Sequence, residues 1–307
     1  MSSQAHTALG QLLANTQASA YWLIDPTLDD PTQSIPELAV CPKHALVLNH
    51  PDTRSLAAPY LAICPKGPMA DKLHDSCLRL AIAQAKQTSL PGEPHSHSVA
   101  ALLLTDTPLP DLVSGLSSTT TVLDSMGKLR VLRYWDPRIF GHLANSPTLS
   151  PLLPNWLGTV SWIHVDRTGH LQRHELIHQS AIKPDRLSPV NKLSKEQEQD
   201  LDLLSRGNQV LMRLRSQGNE SDTTVTQHAA IQAIKALEQT PLKYGDDMVT
   251  LAVQRIRQAC AIETSPKIIA LLEQCSSHQL PLSALLSELA AEDWLEIKKT
   301  AREFTPT

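Results

Sequence analysis

The segment from Leu129 to Arg138 places the strongest constraint on how this chain of 307 residues folds. Residues Leu129 to Trp135 are β-branched, aromatic or long, which is typical of a strand. Asp136 then offers a side-chain oxygen to the free N–H groups of a helix that begins with Pro137, and both residue types favour those positions. The segment therefore predicts a strand that runs directly into a capped helix.

Short apolar runs alternate with helical spacing in the first half of the sequence. Apolar residues recur on one helical face over 69–86, and a second helix is predicted over 109–123. Apolar runs bounded by turn-forming residues predict strands at 20–24, 45–48, 60–64 and 99–104. This alternation predicts an α/β (mixed α+β) domain rather than a sandwich of two sheets.

The segment from Trp156 to Trp162 leads into a predicted hairpin. Residues 158–165 alternate as a strand, and residues 166–169 have the composition of a tight turn. Residues 170–177 can return as the partner strand. We expect this hairpin to complete the sheet.

The composition changes near Lys183, which predicts two domains. Residues 1–183 hold 16 of the 22 prolines, and the proline-containing segment 183–190 is typical of a connector. We predict an α/β domain over 1–183 and an all-α helical domain over 184–307. Helices are predicted in the second domain at 194–217, 223–239, 245–262, 266–277 and 281–303.

The last predicted helix carries a leucine stripe at i, i+3, i+4 and i+7. Such a stripe indicates a face buried in a helical bundle. The alternative is that the stripe, together with Trp294, docks a partner. The stripe consists of Leu282, Leu285, Leu286 and Leu289.

Composition excludes several classes of function. The formal net charge is −4 and the pI is about 6.3, so the chain lacks the basic field that holds nucleic acid. No apolar run approaches the roughly 20 residues that span a bilayer, so no membrane partner is expected. The N-terminus lacks a basic segment followed by an apolar one, and the five widely spaced cysteines suit reduced thiols. We therefore expect a cytoplasmic protein.

His174-Glu175-Leu176-Ile177-His178 matches the zinc-protease pattern and is the feature that favours an enzyme. Two imidazoles at i and i+4 share a zinc ion on a helix, whereas in a strand they lie about 13 Å apart. The turn at Gly169 and the proline at 184 favour a strand. The hairpin is thus the preferred interpretation, and a zinc metallohydrolase that uses His174, Glu175 and His178 is the alternative.

The sequence holds no stronger catalytic constellation. It has no Gly-x-Ser-x-Gly motif and no glycine-rich phosphate loop. His95-Ser96-His97 follows two prolines and is interpreted as part of a solvated loop. We therefore expect a protein that is not an enzyme, with no catalytic residue, no metal and no cofactor.

Arg133, Asp136 and Arg138 are candidate structural or partner-binding residues. An aspartate between two arginines can form an ion pair that fixes the joint between strand and helix. The alternative is that one arginine faces outward and binds a protein, since arginine and tryptophan are frequent interface anchors. Four tryptophans are expected to pack in the core: Trp22, Trp135, Trp156 and Trp162.

Arg133-Tyr134-Trp135-Asp136-Pro137-Arg138, followed by a glycine-aromatic strand, resembles the core signature of the adaptor, or effector-chaperone, proteins of bacterial type VI secretion systems. Tyr21-Trp22-Leu23-Ile24-Asp25-Pro26 is similar to the opening strand of these adaptors. Ala58-Pro59-Tyr60-Leu61 is similar to their proline-aromatic-leucine strand. Residues 233–239 and 243–245 resemble the helical tail of the family loosely.

This resemblance implies a cytoplasmic protein without enzymatic activity. Members of the family bind a particular toxic effector protein and promote its loading onto the VgrG spike for secretion. An effector or immunity protein of the same secretion cluster is a further alternative. The candidate structural or partner-binding residues are Trp22, Asp25, Arg133, Trp135, Asp136, Arg138 and Trp162.

Overall fold

The computed structural model describes residues 2–27, 29–48, 50, 57–86, 97–154, 158–178, 191–216, 225–242, 244–278 and 280–303. The chain divides into two compact units. The N-terminal unit ends at Glu198, and the C-terminal unit continues from Gln199. The predicted connector 183–190 and the predicted boundary at 183 lie outside the described residues. None of the described helices is long and apolar enough to cross a bilayer.

The N-terminal unit combines helices and strands. Its helices are α1 (Ser2–Ala14), α2 (Pro36–Val40), α3 (Pro68–Lys86), α4 (Leu109–Ser118) and α5 (Pro137–Asn145), and it includes the first residues of α6 (Lys195–Ser216). Its strands are β1 (Ser19–Ile24), β2 (Lys43–Ala45), β3 (Tyr60–Ile63), β4 (Val99–Thr105), β5 (Thr121–Leu123), β6 (Leu129–Val131), β7 (Gly158–Val165), β8 (Leu171–His178) and β9 (Asn191–Lys192).

Six of these strands form one sheet in the order β2-β3-β1-β4-β7-β8. Every pair of neighbours in it is antiparallel. A separate three-stranded sheet has the order β6-β5-β9. The mixed α+β class predicted from the alternation of strands and helices is confirmed.

Helices cover both faces of the six-stranded sheet. On one face, the buried side of α3 packs in a core cluster with Trp22 and Ile24 of β1 and Leu102 of β4. Successive side chains of a strand point to opposite faces, so Trp162 lies on the other side from Ile163, which belongs to that cluster. There the Trp162 ring stacks on Phe140 of α5 at a centroid distance of 4.1 Å.

The predicted strand at 129–135 is wrong in its second half. β6 ends at Val131 and pairs with β5 in the small sheet, not in the main one. The chain then turns, because the Asp136 N–H donates to the Arg133 carbonyl at 3.0 Å. The predicted cap is confirmed: the Asp136 side chain accepts from the Arg138 N–H, and Pro137 is the first helical residue.

Two predicted helices are also shorter than expected. The helix at 109–123 ends at Ser118, and residues 121–123 form β5, in keeping with the β-branched side chains of Thr121 and Val122. The helix at 281–303 is two helices, α10 (Leu282–Ser287) and α11 (Ala291–Thr300). The Asp293 carboxylate accepts from the Ala290 N–H at 2.7 Å, which favours a new helix start there.

The predicted hairpin at 158–177 is confirmed. β7 and β8 pair from Gly158↔His178 to Val165↔Leu171. In the turn, the Asp166 side chain accepts from the N–H groups of Thr168 and His170. Gly169 has a φ of +85°, a conformation that L side chains rarely adopt, so glycine suits this position.

The C-terminal unit is helical, apart from a two-stranded sheet. It holds the rest of α6 with α7 (Gln227–Ala236), α8 (Gly245–Gln258), α9 (Pro266–His278), α10 and α11; the short strands β10 (Cys260–Ala261) and β11 (Arg302–Glu303) pair with each other. Three members of the predicted leucine stripe, Leu282, Leu285 and Leu286, are buried. Leu289 and Trp294 are half-buried.

Gly207 of α6 permits a close approach to α7. A Cβ atom added at Gly207 would lie 2.8 Å from Cγ1 of Ile231, a branched side chain that is stiff in a helix. We therefore expect Gly207→Ala to lower the free energy of unfolding by about 1–3 kcal/mol, despite the better helix propensity of alanine. Gly10→Ala in α1 is the matched control, because a Cβ there meets nothing within 4 Å.

The two alanine variants should change stability in opposite directions. Gly10→Ala is expected to raise the free energy of unfolding by about 0.5–1 kcal/mol. Urea unfolding followed by circular dichroism measures both. If Gly207→Ala instead raises the free energy of unfolding, the Ile231 side chain must move away from the added methyl group at little cost, and the prediction is wrong.

Candidate partner-binding site

Asp25 follows the last residue of β1 and lies at the centre of a set of long-range contacts. Its side chain is 2% exposed. One carboxylate oxygen, Oδ2, accepts hydrogen bonds from Arg133 Nη2 and from Trp135 Nε1, both at 2.7 Å. The other oxygen accepts from the N–H and the hydroxyl of Thr27. Four donors thus satisfy a buried carboxylate, which would otherwise be costly to remove from water.

Asp136 forms a second, local ion pair with Arg138. Asp136 Oδ1 accepts from the backbone N–H and from Nε of Arg138, both at 2.9 Å, and Oδ2 accepts from Nε and Nη2. Burial alone would raise the pKa of Asp136, but the hydrogen bonds and charge of Arg138 outweigh burial and hold that pKa at about 2. Burial alone would lower the pKa of Arg138, but its hydrogen bonds and charge interaction with Asp136 raise that pKa above its ordinary value.

The two ion pairs belong to one electrostatic cluster. The charge of Asp25 raises the pKa of Arg138, and the charge of His97 helps to lower the pKa of Asp136. Two carboxylates and two guanidinium groups give the cluster no net charge, which suits its burial. We call this set the Asp25–Arg138 cluster; it consists of Asp25, Arg133, Trp135, Asp136 and Arg138.

Arg133 is the most exposed charged member of the cluster. Its side chain is 36% exposed, against 20% for that of Arg138. The ion pair with Asp25 orients the guanidinium, which leaves donors of a fixed planar group at the surface. Such a group can bind a carboxylate or a backbone carbonyl of a protein partner.

Aromatic rings form a buried layer beside the cluster. Tyr134 and Trp135 meet edge to face at 5.1 Å, and Tyr134 lies 6.2 Å from Trp162. The Tyr134 hydroxyl donates to the Leu116 carbonyl at 2.6 Å, and burial raises its pKa well above the usual range. This layer connects the segment after β6 to the middle of β7.

His164 and His174 extend this layer across the sheet. Their rings stack at 5.3 Å, and both meet Phe140 edge-on. Burial is the main cause that lowers the pKa of His164 to about 4, and the charge of His174 lowers it further. His164 is therefore a neutral core residue at neutral pH.

The structure brings together most of the residues singled out from the sequence, but not Trp22. Trp135, Asp136 and Arg138 join Asp25 and Arg133, and Trp162 lies in the adjoining aromatic layer. Trp22 packs in the cluster on the opposite face of the sheet, where its Nε1 donates to His74 Nδ1 at 3.1 Å. Trp22 is thus a core residue away from the site.

The zinc-protease pattern lies on β8, as the hairpin interpretation predicts. The His174 ring packs on Phe140, whereas Glu175 accepts hydrogen bonds from Ser161 on the other face. Residues four apart in a strand are about 13 Å apart and cannot bind one zinc ion together. Among the residues that the structure describes, no group of three His, Cys, Asp or Glu side chains could hold a metal.

Sequence reasoning missed the partner of Arg133. The spacing of Arg133, Asp136 and Arg138 suggested an aspartate between two arginines, whereas Arg133 binds Asp25, which is 108 positions away. No local pattern signals such a contact. Three features named in the sequence, Trp156, the His95-Ser96 pair and Lys243, lie outside the described residues.

Comparison with known proteins yields no relative. No family model, no curated protein and no solved structure matches this chain.

The ion pair of Asp136 and Arg138 predicts how the free energy of unfolding depends on pH. Because the folded pKa is about 2 and lies below the ordinary 3.8, the ionised group stabilises the fold above pH 4. This contribution, about 2 kcal/mol at 1.36 kcal/mol per pKa unit, is lost as the pH falls from about 4 to about 2. Asp136→Asn keeps a side-chain oxygen for the cap but removes the charge.

We expect Asp136→Asn to be less stable than the natural protein at pH 7, and the difference to shrink towards pH 2. Urea unfolding of both proteins at a series of pH values measures this difference. A difference that stays constant down to pH 2 would contradict the assigned role of the Asp136 charge.

Proposed function

We propose that this chain is a cytoplasmic adaptor, or effector chaperone, of a bacterial type VI secretion system. It binds one toxic effector protein and promotes the loading of that effector onto the VgrG spike. In this proposal the protein is not an enzyme. The N-terminal unit recognises the effector, and the helical unit supports or extends that surface.

The observation that carries this proposal is the convergence of the adaptor-like motifs on one site. The run from Arg133 to Arg138 and the aspartate of the opening-strand motif, Asp25, are distant in sequence but share hydrogen bonds in the Asp25–Arg138 cluster. Buried, fully bonded charges give a rigid base. Arg133 extends from this base to the surface, where arginine is a frequent anchor of protein interfaces.

The first experiment is an affinity purification of the tagged, full-length protein from the bacterium that encodes it. Mass spectrometry then identifies the proteins that are recovered with it at moderate salt. Recovery of a large toxin-like protein together with a VgrG protein supports the adaptor function. Recovery of neither, from cells that express the secretion system, counts against it.

Arg133 is the residue to vary once an effector is identified. We expect Arg133→Ala to lower the recovery of the effector by about tenfold or more, as for a central arginine of an interface. Arg79→Ala is the matched control, because Arg79 is 65% exposed on α3 and pairs with Asp75 rather than with the cluster.

Arg133→Lys separates binding from folding. A lysine still places a positive charge near Asp25 but lacks the planar fork of donors. We expect it to retain the melting temperature better than Arg133→Ala while it still weakens effector recovery. If Arg133→Ala folds and recovers as much effector as Arg79→Ala, Arg133 is not part of the binding surface.

A further inference from the structure

β8 is an edge strand of the six-stranded sheet, as far as the described residues extend. It pairs with β7 through all eight of its residues, without a shift of register. No described residue pairs with its other side, since β8 is the last strand in the sheet order. A sheet edge of this length presents backbone N–H and C=O groups in a row.

The hairpin turn determines which backbone groups point outward. The Asp166 N–H donates to the His170 carbonyl at 2.9 Å, so these two residues form a hydrogen-bonded pair. Bonded and non-bonded pairs alternate along an antiparallel ladder. His174 is therefore bonded to β7, and the outward N–H and C=O groups belong to Leu171, Arg173, Glu175 and Ile177.

β8 lacks two of the features that protect an edge strand from pairing, a proline and a bulge. Its Ile177 side chain is 63% exposed. Its charged side chains are of both signs, Arg173 and Glu175, which pair with each other on one face. A strand with these properties can accept another strand beside it.

The sequence of β8 is complementary to itself when it is read in reverse. An antiparallel copy centred on His174 places Arg173 opposite Glu175 and Glu175 opposite Arg173. The same register places the apolar Leu171 opposite Ile177. Opposite charges and apolar side chains that face each other across two strands stabilise a sheet.

We propose that two copies of this chain pair through β8 in an antiparallel register centred on His174. The two six-stranded sheets then join into one sheet of twelve strands. The outward groups of Leu171, Arg173, Glu175 and Ile177 form hydrogen-bonded pairs, and the two His174 residues form a non-bonded pair on the two-fold axis. This inference does not rest on the proposed adaptor function.

Charge complementarity favours a second copy over another partner. Within one chain, Glu175 accepts from Ser161 Oγ and from Arg173. In the pair of strands, each Glu175 also lies opposite Arg173 of the second copy, so that four charges alternate in sign. A strand of arbitrary sequence would not supply this alternation.

A cysteine at position 174 tests the register. Residues opposite each other in a non-bonded pair have Cα atoms about 4.5 Å apart, within the range of a disulfide. We expect His174→Cys to form a covalent dimer on a non-reducing gel, with a peptide linked from 174 to 174. Gln172→Cys is the matched control on the same face, because its own copy lies about 13 Å away.

The dimer can also be tested without introduced cysteines, by comparing the natural protein with two charge variants of β8. Analytical ultracentrifugation should show a dimer for the natural protein. Glu175→Arg should raise the dissociation constant about tenfold, because two symmetric pairs change from attraction to repulsion. Arg173→Glu combined with Glu175→Arg should restore the dimer, since the exchange keeps opposite charges facing each other.

Three results would overturn the proposal. One is a natural protein that sediments as a monomer at every concentration at which it stays in solution. Another is equal crosslinking of the His174→Cys and Gln172→Cys proteins. The third is a monomer whose β8 amides exchange slowly only after a purified effector is added, because β8 would then pair with a strand of that effector.

Discussion

A carboxylate cannot be buried at the end of a strand unless its oxygens accept enough hydrogen bonds, and this constraint governs the N-terminal unit. The carboxylate of Asp25 accepts the hydrogen bonds it needs from Thr27, Arg133 and Trp135. Two of these donors come from the segment between β6 and α5, so the start of α5 is held against the end of β1. Loss of either donor leaves a charged group underbonded in the protein interior, which is a far larger cost than the loss of a surface ion pair.

The cluster and the aromatic layer together explain why one short segment contributes so much to the fold. Trp135 donates its ring N–H to Asp25 and meets the Tyr134 ring edge to face, while Phe140, one turn into α5, stacks on Trp162. The hydrogen bond to Asp25 holds the segment just before α5 in place. The stacking of Phe140 on Trp162 determines which face of α5 packs against the sheet. The segment that carries Arg133 is consequently held by contacts on two sides, which limits its motion.

Elements with strong local signals were predictable from the sequence. The apolar spacing of α3, the turn chemistry at Asp166–Gly169 and the cap at Asp136 each depend on neighbours within a few residues. The order of the strands and the bond between Asp25 and Arg133 depend on residues that are distant in sequence. Periodicity and spacing carry no information about such contacts, so the candidate residues could be named but not joined correctly.

The strand order also determines how the N-terminal unit is made during synthesis. β4 lies between β1 and β7, so the centre of the sheet joins Ser19 to Thr105 and Leu103 to Trp162. Contacts between residues that are far apart in the chain slow folding, because a long loop must close first. The β7–β8 hairpin is local by comparison and is the last part of the sheet to be translated. In a nascent chain one edge of β4 therefore stays unpaired until β7 has been synthesised, and an unpaired strand edge favours aggregation during that interval.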